Sequence, residues 1–157
     1  MALQNVGNTA PLFSLKNQDN RLISLNQYLG KWIITYFYPK AQTPGCTVQA
    51  CGLKDKMSDI TKAGAIVLGI SPDKQAALKK FVEHDGLNFH LLSDIDHQTA
   101  EAYGVWQEKS MYGRTYMGMA RVTYIINPQG KIAYIFDKVN TTTHADDVLL
   151  WLKENAQ

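Results

Sequence analysis

The sequence predicts a three-layer α/β domain built on a central mixed sheet. Three observations carry this: two buried-strand runs in the first half are each followed by a helical pattern, two later strand runs are joined by a tight turn, and an amphipathic helix closes the chain. Strand and helix in alternation call for parallel strands with crossovers, whereas the late turn adds an antiparallel pair, so the sheet is mixed.

The elements follow in order. A turn signal at 17–20 and a short apolar segment, "LISL", precede the first strong run, "WIITYFY" at 32–38, whose aromatic and β-branched side chains suit an interior strand. Pro39 stops it. The loop "AQTPG" leads into a helical pattern that begins near Cys46, and "AIVLGI" at 65–70 is the second buried strand. In "SPDKQAALKKFVEHDG", Ser71 reads as an N-cap, Pro72 as the first helical residue and Gly86 as the stop. "FHLL" is a short strand, and a short helix ends at Gly104. Residues 107–120 read as a polar, methionine-containing loop whose side chains either pack onto the core or form an apolar collar or a docking surface. "RVTYII" and "KIAYIF" flank "NPQG" as a hairpin. A helix over 143–154 sets Ala145, Val148, Leu149 and Leu152 on one face. This order of elements is thioredoxin-like, and with no repeat or linker in 157 residues it predicts one domain, 1–157.

Composition narrows the partners. The formal charge is +2 and only three of sixteen basic residues are arginine, which argues against nucleic acid and anionic membrane and for a small soluble substrate. The N-terminus has no basic start followed by an apolar core, and no window approaches the ~20 apolar residues of a membrane span, so the chain reads as cytoplasmic. In a reducing compartment two cysteines rarely form a permanent bridge. Cys46 and Cys51 are therefore candidates for reversible chemistry.

Their spacing gives them different surroundings. At about 100° per residue, Cys46, Ala50, Leu53, Met57 and Ile60 fall in a stripe roughly 80° wide, and Cys51 lies about 140° from Cys46. In an intact helix their Cα atoms would be roughly 8–9 Å apart, beyond the ~7 Å limit for a disulfide, so a bridge requires unwinding. Gly52, a poor helix former, sits where unwinding would occur. At a helix N-terminus, free N–H groups and the positive end of the dipole favour a thiolate on Cys46. Cys51, deeper in the helix, has no such help and is suited to attack whatever forms on Cys46. Plain packing of small hydrophobic thiols stays open on these residues alone. A zinc site does not fit, because His84, His90, His97 and His144 are scattered without ligand spacing, and a C-x-x-C redox pair is missing.

The segment "YPKAQTPGCTVQACGLKD" resembles the active-site segment of the peroxiredoxin Q subfamily, also called bacterioferritin comigratory protein, with Pro39, Thr43 and Cys46 matching the peroxiredoxin pattern P-x-x-x-T-x-x-C. The likeness continues through "VLGIS", "NFHLLSD", "YGVW", "EKSMYGRTYMGMAR" and "LLWLKENA", and so covers nearly the whole chain. It implies a thiol peroxidase that reduces hydrogen peroxide and organic hydroperoxides to water and alcohols in antioxidant defence and cell redox homeostasis. It further implies Cys46 as the peroxidatic cysteine, Cys51 as the resolving cysteine through an intramolecular disulfide, and Thr43 and Arg121 as the remaining active-site residues. Thioredoxin or glutaredoxin would be the electron donor, the chain would be monomeric, and neither cofactor nor metal is expected.

Physical chemistry assigns the work among these residues. Bringing a thiol from pKa ~8.5 to below 6 raises its thiolate fraction at neutral pH only about 30-fold, or about 2 kcal/mol, while lowering its intrinsic nucleophilicity. Most of the acceleration must come from holding the peroxide in line and stabilising the departing oxygen. That falls to Arg121, the Thr43 hydroxyl and the backbone N–H groups around Gly45 and Cys46, with Pro39 and Pro44 fixing the loop and shielding the sulfur. As bare residues, Thr43 could instead be a helix-capping hydroxyl and Arg121 a surface charge at a strand start. Two other classes, a thiol–disulfide oxidoreductase and a binding module without activity, remain as alternatives.

Overall fold

The structure is a computed structural model and describes residues 2–156. Strands β1 (Ser14–Asn17) and β2 (Leu22–Ser24) form an N-terminal hairpin, and a single 3-10 turn, Leu25–Tyr28, leads to β3 (Trp32–Phe37). Helices α1 (Pro44–Asp55) and α2 (Met57–Lys62) follow, then β4 (Ala65–Ser71), α3 (Gln75–Asp85), β5 (His90–Ser93) and the short α4 (Gln98–Ala102). The chain continues through β6 (Trp106–Met111), β7 (Arg114–Met119), β8 (Val122–Ile126) and β9 (Ile132–Phe136) to α5 (His144–Asn155). Among the described residues the main sheet has seven strands in the order β2-β1-β5-β4-β3-β8-β9. β3, β4 and β5 are parallel and the other pairings antiparallel, which gives the mixed sheet and thioredoxin-like fold class that the sequence predicts.

Alternation along β3 builds the layers. Ile34, Tyr36 and Tyr38 face a core shared with Cys46, Ala50 and Leu53 of α1, Leu78 and Phe81 of α3, and Val148 and Leu152 of α5. Ile33 and Phe37 face the opposite core, with Ala100 of α4, Tyr103, Val105, Val122 and Tyr124. Each fully buried side chain of this size contributes roughly 1.5–3 kcal/mol against its exposed state. The central strands are therefore anchored on both faces, and the C-terminal end of β3 is a firm base for the loop that enters α1.

The structure redraws three sequence expectations. Ser71 does not cap a helix: it is the last residue of β4, its hydroxyl donates to the Asp73 carboxylate at 2.8 Å, and α3 begins at Gln75. Gly86 does close α3, in the left-handed conformation at φ 62°. Residues 107–120 are not a loop but mostly the β6–β7 hairpin, turned by Tyr112 (φ 53°) and Gly113 (φ 76°). Two successive positive φ values are what a two-residue hairpin turn matching strand twist requires. Its Met111, Tyr112, Tyr116 and Met117 are exposed rather than packed, Tyr112 at 98%. Finally, the helical stripe is interrupted at Lys56, so that Met57 and Ile60 belong to α2.

Candidate active site

Helix α1 starts two residues ahead of Cys46. Thr43 takes the extended N-cap conformation, φ −77° and ψ 156°, and Pro44 stands at the first helical position, where its missing N–H costs nothing. The first helical bond runs from the Thr47 N–H to the Thr43 carbonyl at 2.8 Å. Among the described residues, the Gly45 and Cys46 N–H groups before it have no hydrogen-bond acceptor. They are the free donors expected at a helix start.

The loop before α1 is held from below. The Ala41 N–H donates to the Asp73 carboxylate at 2.7 Å, and Gln42 turns the chain through a left-handed φ of 61°. The Thr43 hydroxyl donates to the Lys40 carbonyl at 2.8 Å and makes no bond to the helix N–H groups, so the capping reading of Thr43 fails. With its proton committed to Lys40, the hydroxyl presents lone pairs and acts as an acceptor. Pro39 is half-buried in the bend after β3, whereas Pro44 is exposed.

Arg121, immediately ahead of β8, reaches this helix end. Its Nη2 donates to the Cys46 Sγ at 3.3 Å, and Cys46 is 1% exposed. A Cβ on Gly45 would lie 3.4 Å from the same Nη2, in van der Waals contact with the guanidinium. The other arm, Nη1, donates to Gln49 Oε1 at 2.6 Å. The Gln49 amide then donates from Nε2 to His144 Nδ1 at 3.3 Å, and His144 Nε2 lies 2.9 Å from the Thr123 hydroxyl. Gln49, His144 and Thr123 are all buried. Lys109 of β6 also stands near these charges, and burial first, then the Arg121 guanidinium, pushes its ammonium pKa down.

Cys51 sits on another side of α1. It is half-buried, and its Sγ–H points to the Asp85 carboxylate at 3.8 Å, at the end of α3. Burial first, then the Asp85 charge, pushes the Cys51 thiol up from its ordinary range. Both cysteines are free, and the unbroken α1 contains both, as expected for the helical, unbridged state. The structure thus brings Arg121 and Cys46 together, with Thr43 in the adjoining loop, and keeps Cys51 apart. Gln49, His144, Asp73 and Asp85 complete these surroundings and carried no sequence signal of their own. Gln49 is 72 residues from Arg121 and 95 from His144, so only the fold joins them.

A buried thiol under a helix N-terminus, bound by a guanidinium on a thioredoxin-like scaffold, defines a thiol-dependent redox enzyme. Residues 6–135 match the AhpC/TSA family. Peroxiredoxin Bcp of Escherichia coli K12 is 53% identical over 150 residues, spanning 96% of each chain, and a putative peroxiredoxin of Haemophilus influenzae is 50% identical over 149 residues, spanning 95% of this chain and 96% of that one. Among solved structures, Xanthomonas campestris peroxiredoxin Q superposes with a TM-score of 0.88 at 35% identity over 92% of each chain. A cysteine-to-serine mutant of Xylella fastidiosa PrxQ gives 0.94 at 30% identity over all of both chains. The chain belongs to the AhpC/TSA family and is a peroxiredoxin, a thiol peroxidase acting on hydroperoxides.

Proposed function

We propose that this peroxiredoxin reduces hydrogen peroxide and alkyl hydroperoxides by attack of the Cys46 sulfur. The observation that carries this reading is the 3.3 Å hydrogen bond from Arg121 Nη2 to Cys46 Sγ at the first turn of α1. A guanidinium with donors to spare can hold both the sulfur anion and a peroxide oxygen beside it. The Cys46 thiolate attacks the nearer peroxide oxygen, the O–O bond breaks, and the farther oxygen leaves as hydroxide or alkoxide and takes up a proton. Cys46 becomes a sulfenic acid. Thr43 accepts the peroxide O–H, the Gly45 and Cys46 N–H groups and Arg121 stabilise the departing charge, and Pro39 and Pro44 set the loop. Support for alkyl hydroperoxides comes from the Xanthomonas campestris bacterioferritin comigratory protein, 34% identical with a TM-score of 0.88, whose trapped intermediate and ligand complexes were described in relation to alkyl peroxide reduction.

Cys51 resolves the sulfenic acid. Its thiol attacks the Cys46 sulfur, water leaves, and an intramolecular disulfide forms once the 46–51 stretch of α1 has unwound. Thioredoxin, or glutaredoxin in its place, returns the two electrons. The chain works as one domain, as a monomer in the cytoplasm; among the described residues no helix is long and apolar enough to cross a membrane.

Single turnover tests the scheme. One equivalent of hydrogen peroxide mixed with reduced protein should be consumed rapidly, with a loss of two hydrogens from the intact mass, and Cys46→Ser should abolish consumption. Retained peroxide reduction in Cys46→Ser would end the assignment. In Cys51→Ser, peroxide should react once, but recycling by thioredoxin should stop; normal turnover there would remove Cys51 from the scheme.

A further inference from the structure

We propose that His144 is a positioning residue for peroxide reduction, holding Gln49 so that its amide oxygen fixes Arg121 against the Cys46 sulfur. The inference rests on the reading of Cys46 as the attacking thiol and extends it to the first residue of α5, about a hundred positions away in the chain.

The directions of the hydrogen bonds leave one arrangement. A guanidinium only donates, so the Gln49 atom 2.6 Å from Arg121 Nη1 is the amide oxygen. The amide nitrogen therefore faces His144 Nδ1, and being a donor only, it makes Nδ1 the acceptor. Neutral imidazole then carries its proton on Nε2 and donates it to the Thr123 hydroxyl at 2.9 Å. One tautomer of one residue thus selects one orientation of the Gln49 amide. The opposite orientation would turn NH₂ toward the guanidinium, leave two donors facing each other, and release Nη1.

Burial makes this selection strong. Gln49 is 0% exposed and His144 1%, so neither can exchange its partner for bulk water. An amide deprived of a partner in such a place costs of order 1–3 kcal/mol. The surroundings also keep His144 neutral: burial holds its pKa down at about 4, Arg121 adds to this, and the Asp147 carboxylate on the next turn of α5 opposes it. As the first helical residue of α5, the imidazole also sits at a helix end that disfavours positive charge. Packing alone would be served by an apolar side chain here, since Tyr36 and Phe136 both lie against the ring, with centroids at 6.0 Å and 6.2 Å. The retained polar chain runs instead from β8 through α5 and α1 to the reactive sulfur.

The test compares two reactions of the same sulfur in the full-length chain carrying Cys51→Ser, so that only Cys46 reacts. Peroxide attack needs Arg121 in register, whereas alkylation by iodoacetamide, followed at an alkaline pH where the thiolate is fully formed, needs the sulfur alone. In His144→Phe the second-order rate with hydrogen peroxide should fall about 10- to 100-fold, the scale of a misplaced catalytic group, while alkylation changes less than about threefold. His144→Asn, whose amide oxygen can stand where Nδ1 accepts, should return to within about fivefold of the parent. An unchanged peroxide rate in His144→Phe, equal slowing of both reactions, or no rescue by asparagine would each overturn the proposal. Should His144→Phe not fold, Thr123→Val removes the far acceptor and should give the same split at about two- to fivefold, with no split counting against His144. Cys46→Ser run alongside separates the two readings: if it still reduces peroxide the attacking thiol is misassigned, and if it is inert while His144 variants are normal, only the role of His144 falls.

Discussion

Cys46 and Cys51 share one helix and differ in almost everything that surrounds them. Cys46 is sealed from solvent at the first turn, with a guanidinium on its sulfur; Cys51 is half-buried past the second turn, with a carboxylate at 3.8 Å from its sulfur. A positive partner favours the thiolate and a negative one the thiol. Sequence spacing assigned the same order from the helix dipole, and the structure adds a Cys51 thiol that burial first, and the Asp85 charge next, push up from its ordinary range. The comparison teaches that five residues of helix are enough to place two identical groups in opposite surroundings, provided that other elements bring the charges.

The largest expected effect comes from dismantling the Cys46 side. Arg121→Lys keeps a positive charge but loses the planar fork that holds Cys46 with one arm and Gln49 with the other. The peroxide rate, followed by stopped flow, should fall about 10²- to 10³-fold, the usual cost of one stabilising donor. An unchanged rate would mean that charge, not geometry, distinguishes the two cysteines.

A middle-sized effect concerns stability. His144 titrates at about 4 in the folded chain because of burial, against about 6.5 when unfolded. Between these values the unfolded chain binds a proton that the folded chain does not, so this group's contribution is complete above pH ~6.5, is lost as pH falls toward 4, and changes no further below that. The full loss is about 3 kcal/mol. Urea midpoints measured from pH 7 to pH 4 should fall more steeply for the parent than for His144→Asn. Parallel curves would show that the polar chain behind Cys46 does not depend on a neutral imidazole.

The smallest effect sharpens the Cys51 side. Burial is the larger cause of the raised Cys51 ionisation, and the Asp85 charge the next. Asp85→Asn, in a Cys46→Ser chain, should therefore raise iodoacetamide labelling of Cys51 at pH 8 by only about two- to fivefold, since burial, the larger cause, remains. No increase would leave burial as the sole cause.

Much of this was legible in the sequence because the relevant signals are local. The strand at 32–38, the proline that ends it and the T-P-G helix start are neighbours in the chain, so their propensities sufficed to place Cys46 at a helix N-terminus. The β6–β7 hairpin was missed for a physical reason: its side chains are largely exposed, and period-2 alternation is visible only when one face is buried. Only Tyr112-Gly113 marked it, and tyrosine is not a usual residue at positive φ. Ser71 imitated a cap because its hydroxyl does find a nearby partner, the Asp73 side chain, but one in the turn before the helix. Arg121 was assigned from the family pattern, not from its own neighbourhood. Gln49 and His144 meet only after α1 and α5 have packed on the same sheet face, and no spacing rule spans such a distance.

One position on α1 gives this chemistry an order in time. Gln49 lies between the two cysteines, so in the proposed cycle the unwinding that joins Cys46 to Cys51 also withdraws it from Arg121 and His144. In that proposed cycle the oxidised chain has already spent its Cys46 thiol and also gives up the support of its guanidinium, so no second peroxide is engaged before reduction. On that proposal the enzyme would act as a fuse that resets only when electrons arrive: each chain would remove one peroxide per visit from its reductant, and under heavy oxidant load the supply of reductant would set the throughput.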